Sequence, residues 1–209
     1  MTYFLLLLLA AYVLGSVPSA LLVGQAYHGI DVREHGSKNA GATNTFRVLG
    51  KKSGTFVLIL DIIKGFTAAN LVLLFPEANI FEGLMEMKVA LGLAAVLGHI
   101  YPVLAGFNGG KGIATLLGMV IAINPLIAVG VVLVFLMVHA ITHMISAGSI
   151  ISTLSFAIFA WMIYGYREPV LLIFGIFATL LVLYTHRSNL RRILTGNEKK
   201  IHLFKHKNL

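Results

Sequence analysis

The stretch Asn108 to Thr115, NGGKGIAT, sets three glycines around one lysine between two apolar runs. Glycine at 109, 110 and 112 permits positive φ and close backbone approach, so that successive N–H groups can converge on an anion. Ile113 opens a helical pattern whose first N–H groups carry partial positive charge, and Lys111 adds a full one. The combination suits a phosphate. It is not a nucleotide P-loop: GxxxxGK[ST] requires glycine at 105 and serine or threonine at 112, where Ala105 and Gly112 stand. The competing explanation is tight helix packing with a snorkelling lysine.

Three further stretches carry similar chemistry. HGSKNAGATNTFRVLGKKSG, residues 35–54, offers Gly36 and Gly41 for backbone approach, Ser37, Asn39, Thr43 and Asn44 as neutral polar groups, and Lys38 and Arg47 as charges. THMISAGSIIS, residues 142–152, places Ser146 and Ser149 beside Gly148, a pattern that equally suits helix contacts in a membrane. HRSNLRRILTGNE, residues 186–198, puts His186 and Asn189 three apart, on one helical face. Its Arg191 and Arg192 also suit orientation or contact with anionic lipid.

The elements that must position these residues are membrane helices. Of 209 residues, 58% are hydrophobic and only 11% charged, and the mean hydropathy is +0.89, well above a soluble domain. Apolar runs fall at about 3–25, 54–75, 87–105, 113–138, 149–164 and 168–186, several reaching the ~20 residues that cross ~30 Å of hydrocarbon. The first has no basic residue before it and is long enough to span, so it reads as a retained helix rather than a signal peptide. There is no cysteine, hence neither disulfide nor thiol nucleophile.

Arg33, Lys38, Arg47, Lys51 and Lys52 precede the second run, and Arg187, Arg191, Arg192, Lys199, Lys200, Lys205 and Lys207 follow the last. Together they are twelve of the sixteen basic residues, and they place both segments in the cytoplasm. The segment 76–86, with Glu77, Glu82 and Glu86, belongs outside. An outside N-terminus and an inside C-terminus require an odd number of crossings, so one of the six runs must be two. Asn124-Pro125 favours a turn and splits 113–138. The expected fold is an all-α integral membrane protein of one domain, 1–209, with seven spans at about 3–25, 54–75, 87–105, 113–124, 126–142, 149–164 and 168–186 and a basic cytoplasmic tail, 187–209. The piece 113–124 is about 18 Å long, too short to cross alone. NGGKGIAT therefore belongs to a re-entrant or broken element, tolerated at depth only where protein or a wet cavity covers it. In the second span Asp61 and Lys64 are spaced to form a buried pair.

The motifs GSVPSALLVG, GSKNAGATNTFRVLG, LDIIKG, GHIYPVLAGFNGGKGIAT, a serine before the sixth span, and HxxN followed by RRILTGNE resemble, in order and spacing, the PlsY-type acyl-phosphate:glycerol-3-phosphate acyltransferases of bacteria. The resemblance covers nearly the whole chain. It implies a bacterial inner-membrane enzyme with a cytoplasmic site that moves a fatty acyl group from acyl phosphate to the 1-hydroxyl of sn-glycerol 3-phosphate, the first acylation of phospholipid synthesis. Lysophosphatidic acid and phosphate are the products. It also implies Ser37, Arg47, Lys111 and Asn189 as catalytic phosphate contacts, with the backbone of Gly109, Gly110 and Gly112 and with Thr43 and Thr115 beside them. The resemblance further implies that Asn39, Asn44, Ser146 and His186 shape the glycerol phosphate pocket, His186 within the catalytic set.

Two departures concern local charge: Thr185 precedes His186, and Asn108 precedes GGKG, where relatives commonly carry a basic residue. Two phosphate-bearing substrates repel, so a partly desolvated site needs at least two fixed cations, and Arg47 and Lys111 are those. Cytoplasmic carboxylates are few, Asp31, Glu34 and Glu198, which suits the family's use of a substrate phosphate as base. No metal, cofactor, nucleic acid or obligate protein partner is expected. The HxxxxD pair of thioester-using acyltransferases is missing at His28, His35, His99, His139, His143 and His186. The alternative function is a membrane carrier for an organic phosphate, since buried cations and broken helices also build transport sites.

Overall fold

The computed structural model describes residues 2–75 and 83–201, and among these every regular element is a helix. Glu77 and Glu82 of the acidic segment, and Lys205 and Lys207 of the tail, lie outside the described residues. The chain divides into two compact units, Met1–Ala128 and Val129–Leu209.

The first unit contains α1 (Thr2–Ser16), α2 (Ser19–His28), α3 (Ala42–Asn70), α4 (Leu84–Ile100), α5 (Ile113–Ile123) and the start of α6 (Pro125–Thr142). The first apolar run, expected as one helix, is broken at Val17-Pro18, where proline lacks an N–H and its ring crowds the preceding turn. The break frees groups that the next span uses. The Val17 carbonyl accepts from Lys64 Nζ at 3.0 Å, and Ser19 Oγ donates to Asp61 Oδ1 at 2.9 Å. Asp61 and Lys64 pair at 2.9 Å with side chains 2% and 6% exposed. Each charge is thus both paired and hydrogen-bonded, the condition under which burial is tolerable.

The second span also differs from expectation. Helix α3 starts at Ala42, well before residue 54, and Gly50 (φ 84°, ψ −176°) separates its first two turns from the apolar part. Only glycine adopts that conformation without strain. The first polar loop therefore ends in a helix rather than running on as coil. Two small-residue contacts bring spans together: Gly65 and Gly118 seat α3 against α5, and Gly15 and Gly98 seat α1 against α4. Lipid is as apolar as leucine, so such close backbone approach is what drives helix association in a bilayer. Leu7, Ala11, Ala68, Val72, Met87, Leu91 and Ala95 fill one core. A second core, including Ala20, Val23, Val32 and Val57, lies under the first polar loop and fixes its base.

Helix α5 is short, Ile113–Ile123, as the sequence predicts. Asn124 ends it and caps α6, accepting from the N–H groups of Leu126 (2.9 Å) and Ile127 (3.2 Å), while Lys88 Nζ caps the Ala122 carbonyl at 2.6 Å. Proline at the first helical position of α6 has no N–H to satisfy.

The second unit holds the rest of α6, α7 (Ile145–Tyr164), α8 (Pro169–Thr185) and α9 (Arg187–Leu194), the last bent by 71° from α8. Gly175 packs on Ala157, and the Phe156 and Phe174 rings meet edge to face at 5.0 Å. Across the chain, large apolar side chains such as Leu9, Ile141, Ile173 and Leu180 are exposed. A surface of that kind needs lipid. Among the described residues, five helical stretches are long and apolar enough to cross a membrane, six with the bent α8–α9 pair, and α5 is the short apolar helix beside them. The protein is a multi-pass membrane protein.

Candidate functional site

In the first unit the polar loop before α3 is folded around one amide. Asn44 is fully buried. Its Oδ1 accepts from the backbone N–H (2.7 Å) and hydroxyl (3.0 Å) of Ser37, and its Nδ2 donates to the carbonyls of Val32 (2.8 Å) and His35 (3.1 Å). Every donor and acceptor of the amide is used. A Cβ on Gly36, which sits at φ 66°, would strike this amide. Ser37 is presented at the surface, Asn39 and Thr43 are half-buried, and Arg47 is exposed three residues beyond Asn44 on α3. Arg33 grips Asp31 (Nη2 to Oδ2, 2.8 Å) and donates from Nη1 to the Ala105 carbonyl at 2.9 Å, tying this loop to the segment that leads into GGKG. The Arg33 hydrogen bond, opposed by burial, holds the Asp31 carboxyl below its usual range.

The GGKG loop leaves α4 through a tight turn closed by the Phe107 N–H on the Pro102 carbonyl at 2.8 Å. Of its three glycines, Gly112 alone takes positive φ (82°), immediately before α5. Gly109 and Gly110 are required for a different reason: a Cβ at the first would strike the His99 carbonyl, and at the second the His99 ring. The Gly110 N–H donates to that carbonyl at 3.1 Å. The close approach at these two positions is thus to the end of α4. Lys111 is half-buried. Thr115 is fully buried where α5 meets Gly65, and its hydroxyl has no hydrogen bond among the described residues.

In the second unit Ser146, in the first turn of α7, and Asn189, on α9, converge on one carboxylate. Glu198 Oε1 accepts from Ser146 Oγ at 2.7 Å and from Asn189 Nδ2 at 2.6 Å, and Oε2 accepts from Arg192 Nε at 2.8 Å. Burial pushes this carboxyl up, but the three donors outweigh it and hold it below the usual range. The Ile201 N–H donates to the His143 carbonyl at 2.8 Å, so the segment expected as a basic tail is folded back through residue 201. His186, at the α8–α9 bend, is 4% exposed and directs Nδ1 at the Val182 carbonyl, 3.0 Å away. In the neutral ring that bond puts the lone pair on Nε2.

The structure thus gathers Ser37, Asn44, Gly109, Gly110, Gly112 and Lys111 around two linked loops of the first unit, and Ser146 and Asn189 around Glu198 in the second. Glu198 and His99 were not among the expected site residues. The signal for Glu198 was a lone acid in a strongly basic segment; for His99 it was the short spacing to GGKG after a helix end. Among the described residues no cluster of three His, Asp or Glu side chains could hold a metal ion.

The sequence model of the family described as glycerol-3-phosphate acyltransferase matches residues 5–196. The chain belongs to that family. Glycerol-3-phosphate acyltransferases of Bacillus velezensis and Chlorobaculum tepidum are 41% and 37% identical to it, over 95% and 96% of this chain and 98% and 97% of theirs. The crystal structure of PlsY, an integral membrane glycerol 3-phosphate acyltransferase, in its glycerol 3-phosphate form, is similar with a TM-score of 0.85 and 39% identity over 97% of this chain and 99% of that one. The lysophosphatidic acid form gives 0.81 and 40% over 95% of each. The family thus has the all-helical membrane fold described above.

Proposed function

We propose that this protein transfers a fatty acyl group from acyl phosphate to the 1-hydroxyl of glycerol 3-phosphate at the cytoplasmic face of the bacterial inner membrane, crossing it seven times. The observation that carries this is the 39% identity and 0.85 TM-score, over nearly the whole chain, to a glycerol 3-phosphate acyltransferase in its glycerol 3-phosphate form. Acyl phosphate is the donor that the residues favour. It is an activated mixed anhydride, so the protein must supply proximity and charge rather than a covalent nucleophile. Lys111 and Arg47 are assigned to neutralising phosphate, with Ser37, Thr43 and the GGKG backbone beside them in the first unit; Asn189 is also assigned to phosphate, and Asn39, Asn44, Ser146 and His186 to the acceptor.

The base fits the same reading. The acceptor hydroxyl attacks the acyl carbon, its proton passes to a substrate phosphate, and inorganic phosphate leaves. Asp31 and Glu198 are both engaged by arginine and held acidic, which makes them poor bases. The test is purified protein in detergent with glycerol 3-phosphate and either acyl phosphate or acyl-CoA. Lysophosphatidic acid should form from the first alone; comparable rates with acyl-CoA would overturn the donor, and phosphate movement into liposomes without lysophosphatidic acid would indicate a carrier. For orientation, a single cysteine at 124 should label from outside intact cells and one at 108 only after permeabilisation.

A further inference from the structure

The GGKG loop lies on an imidazole that itself stands beside a buried acid. His99, the penultimate residue of α4, is 6% exposed. Its Nδ1 stands 3.5 Å from Asp61 Oδ1, within ion-pair reach but making no hydrogen bond among the described residues, while that oxygen accepts from Ser19 Oγ at 2.9 Å and pairs with Lys64 Nζ at 2.9 Å. On its other edge, Nε2 occupies the place that a side chain on Gly110 would take. The ring is wedged between a carboxylate of α3 and the backbone of the loop that carries Lys111.

Two features make this more than filling. An apolar side chain of similar volume would pack against Gly110, but it would remove a polar partner from Asp61, whose charge already has to be matched inside the membrane. The loop's register depends on the same residue twice, through the Gly110 N–H on the His99 carbonyl and through the ring against Gly110. A displacement of about 1 Å in a residue that neutralises a leaving group is expensive in rate. Asp61 and Lys64, together with the Val17 carbonyl and Ser19, thus form a hydrogen-bonded polar cluster on the side of His99 away from Gly110.

We propose that His99 is a positioning residue for acyl transfer, lodged between Asp61 and Gly110 so that its ring fixes the GGKG loop and places Lys111. This rests on the reading of Lys111 as a phosphate contact. Three single variants, His99→Asn, His99→Leu and His99→Ala, and the pair Gly110→Ala with and without His99→Ala, separate positioning from packing. His99→Ala and His99→Leu should each lower kcat by about ten-fold or more, with the KM for glycerol 3-phosphate within about two-fold of the wild type. His99→Asn keeps an amide near the Nδ1 position and should recover most of that loss. Gly110→Ala should be severe alone, whereas the double variant should be no slower than His99→Ala, because the methyl group then enters the space the ring has left.

Wild-type kcat in a folded His99→Leu variant would overturn the proposal, as would strictly additive losses in the Gly110–His99 pair. If His99→Ala fails to fold, the His99→Asn and His99→Leu comparison decides. If the wild type makes no lysophosphatidic acid from acyl phosphate, the functional reading fails instead, and the same cycle read by melting temperature still tests the coupling of His99 to Gly110.

Discussion

The two units build their polar residues into place by opposite means. Before α3 the loop is held by a neutral amide, Asn44, whose four hydrogen bonds all go to backbone or to Ser37. Beyond α8 the polar residues are held by an anion, Glu198, shared among Ser146, Asn189 and Arg192. A neutral peg shapes backbone without altering the field, so it does not offset the positive charge of Arg47 and Lys111 that the proposed function assigns to phosphate. A carboxylate subtracts from the field in a segment that carries Arg187, Arg191, Arg192, Lys199 and Lys200. What differs is therefore the electrostatic cost of the support, and each region uses the kind its surroundings tolerate.

The largest expected effect is at Lys111: in the proposed reaction, charge builds on the departing phosphate as the acyl bond breaks, and a fixed ammonium would stabilise that state more than the ground state. Lys111→Ala should lower turnover by about two orders of magnitude or more, on the scale of one lost oxyanion donor. Lys111→Arg should also be poor, since a planar fork does not put its charge at the same point. Near-full turnover in a folded Lys111→Ala protein would reduce the loop to packing and erase the contrast with Glu198.

Next come the two supports themselves. Asn44→Ala leaves the Val32 and His35 carbonyls and the Ser37 N–H without their partner and should destabilise the protein by about 2 kcal/mol or more, with turnover falling as Ser37 is released. Asn44→Asp should be little better, because the replacement cannot donate to those carbonyls and brings an acid into the loop that carries Ser37. Glu198→Ala should likewise lower stability, whereas Glu198→Gln should keep more of it, since one oxygen can still accept from Ser146 and Asn189. Thermal melts in detergent and turnover on the same preparations check both. If the Asn44→Asp and Glu198→Gln losses were equal, the charge of the support would not matter.

These supports also mark the limit of what was legible in the sequence. The all-helical membrane fold, the short α5 and the turn at Asn124-Pro125 follow from hydropathy, length and proline, which act locally. The Asp61 and Lys64 pair was readable because three residues on a helix bring them together. The break at Pro18 was equally local and visible as a proline, yet a strong apolar run masked it. By contrast, Glu198 meeting Ser146 across more than fifty residues, and His99 reaching Asp61 from another helix, depend on tertiary packing that no periodicity encodes. The same holds for the glycines: their presence indicated a close approach, but which neighbour approached was not written in the motif.

The smallest expected effect concerns acid. Both supporting carboxylates, Glu198 and Asp31, are held below their ordinary values of 4.5 and 3.8 by hydrogen-bonded arginine and, for Glu198, by Ser146 and Asn189. A depressed carboxylate pKa means that the unfolded chain takes up a proton first as pH falls. The stabilisation is therefore complete above the unfolded value and is lost as pH drops through the folded one. Wild-type protein should lose melting temperature as pH is taken from about 5 to about 3, and Glu198→Gln should start lower but lose less over that interval. Asp31→Asn should change the slope less, because the Asp31 carboxylate is more exposed to solvent than that of Glu198, at 20% against 6%, and receives its side-chain hydrogen bonds from Arg33 alone. A wild-type acid slope retained in Glu198→Gln would mean that other groups titrate there, and that the anion at the α7–α9 contact supports Ser146 and Asn189 by shape rather than by charge.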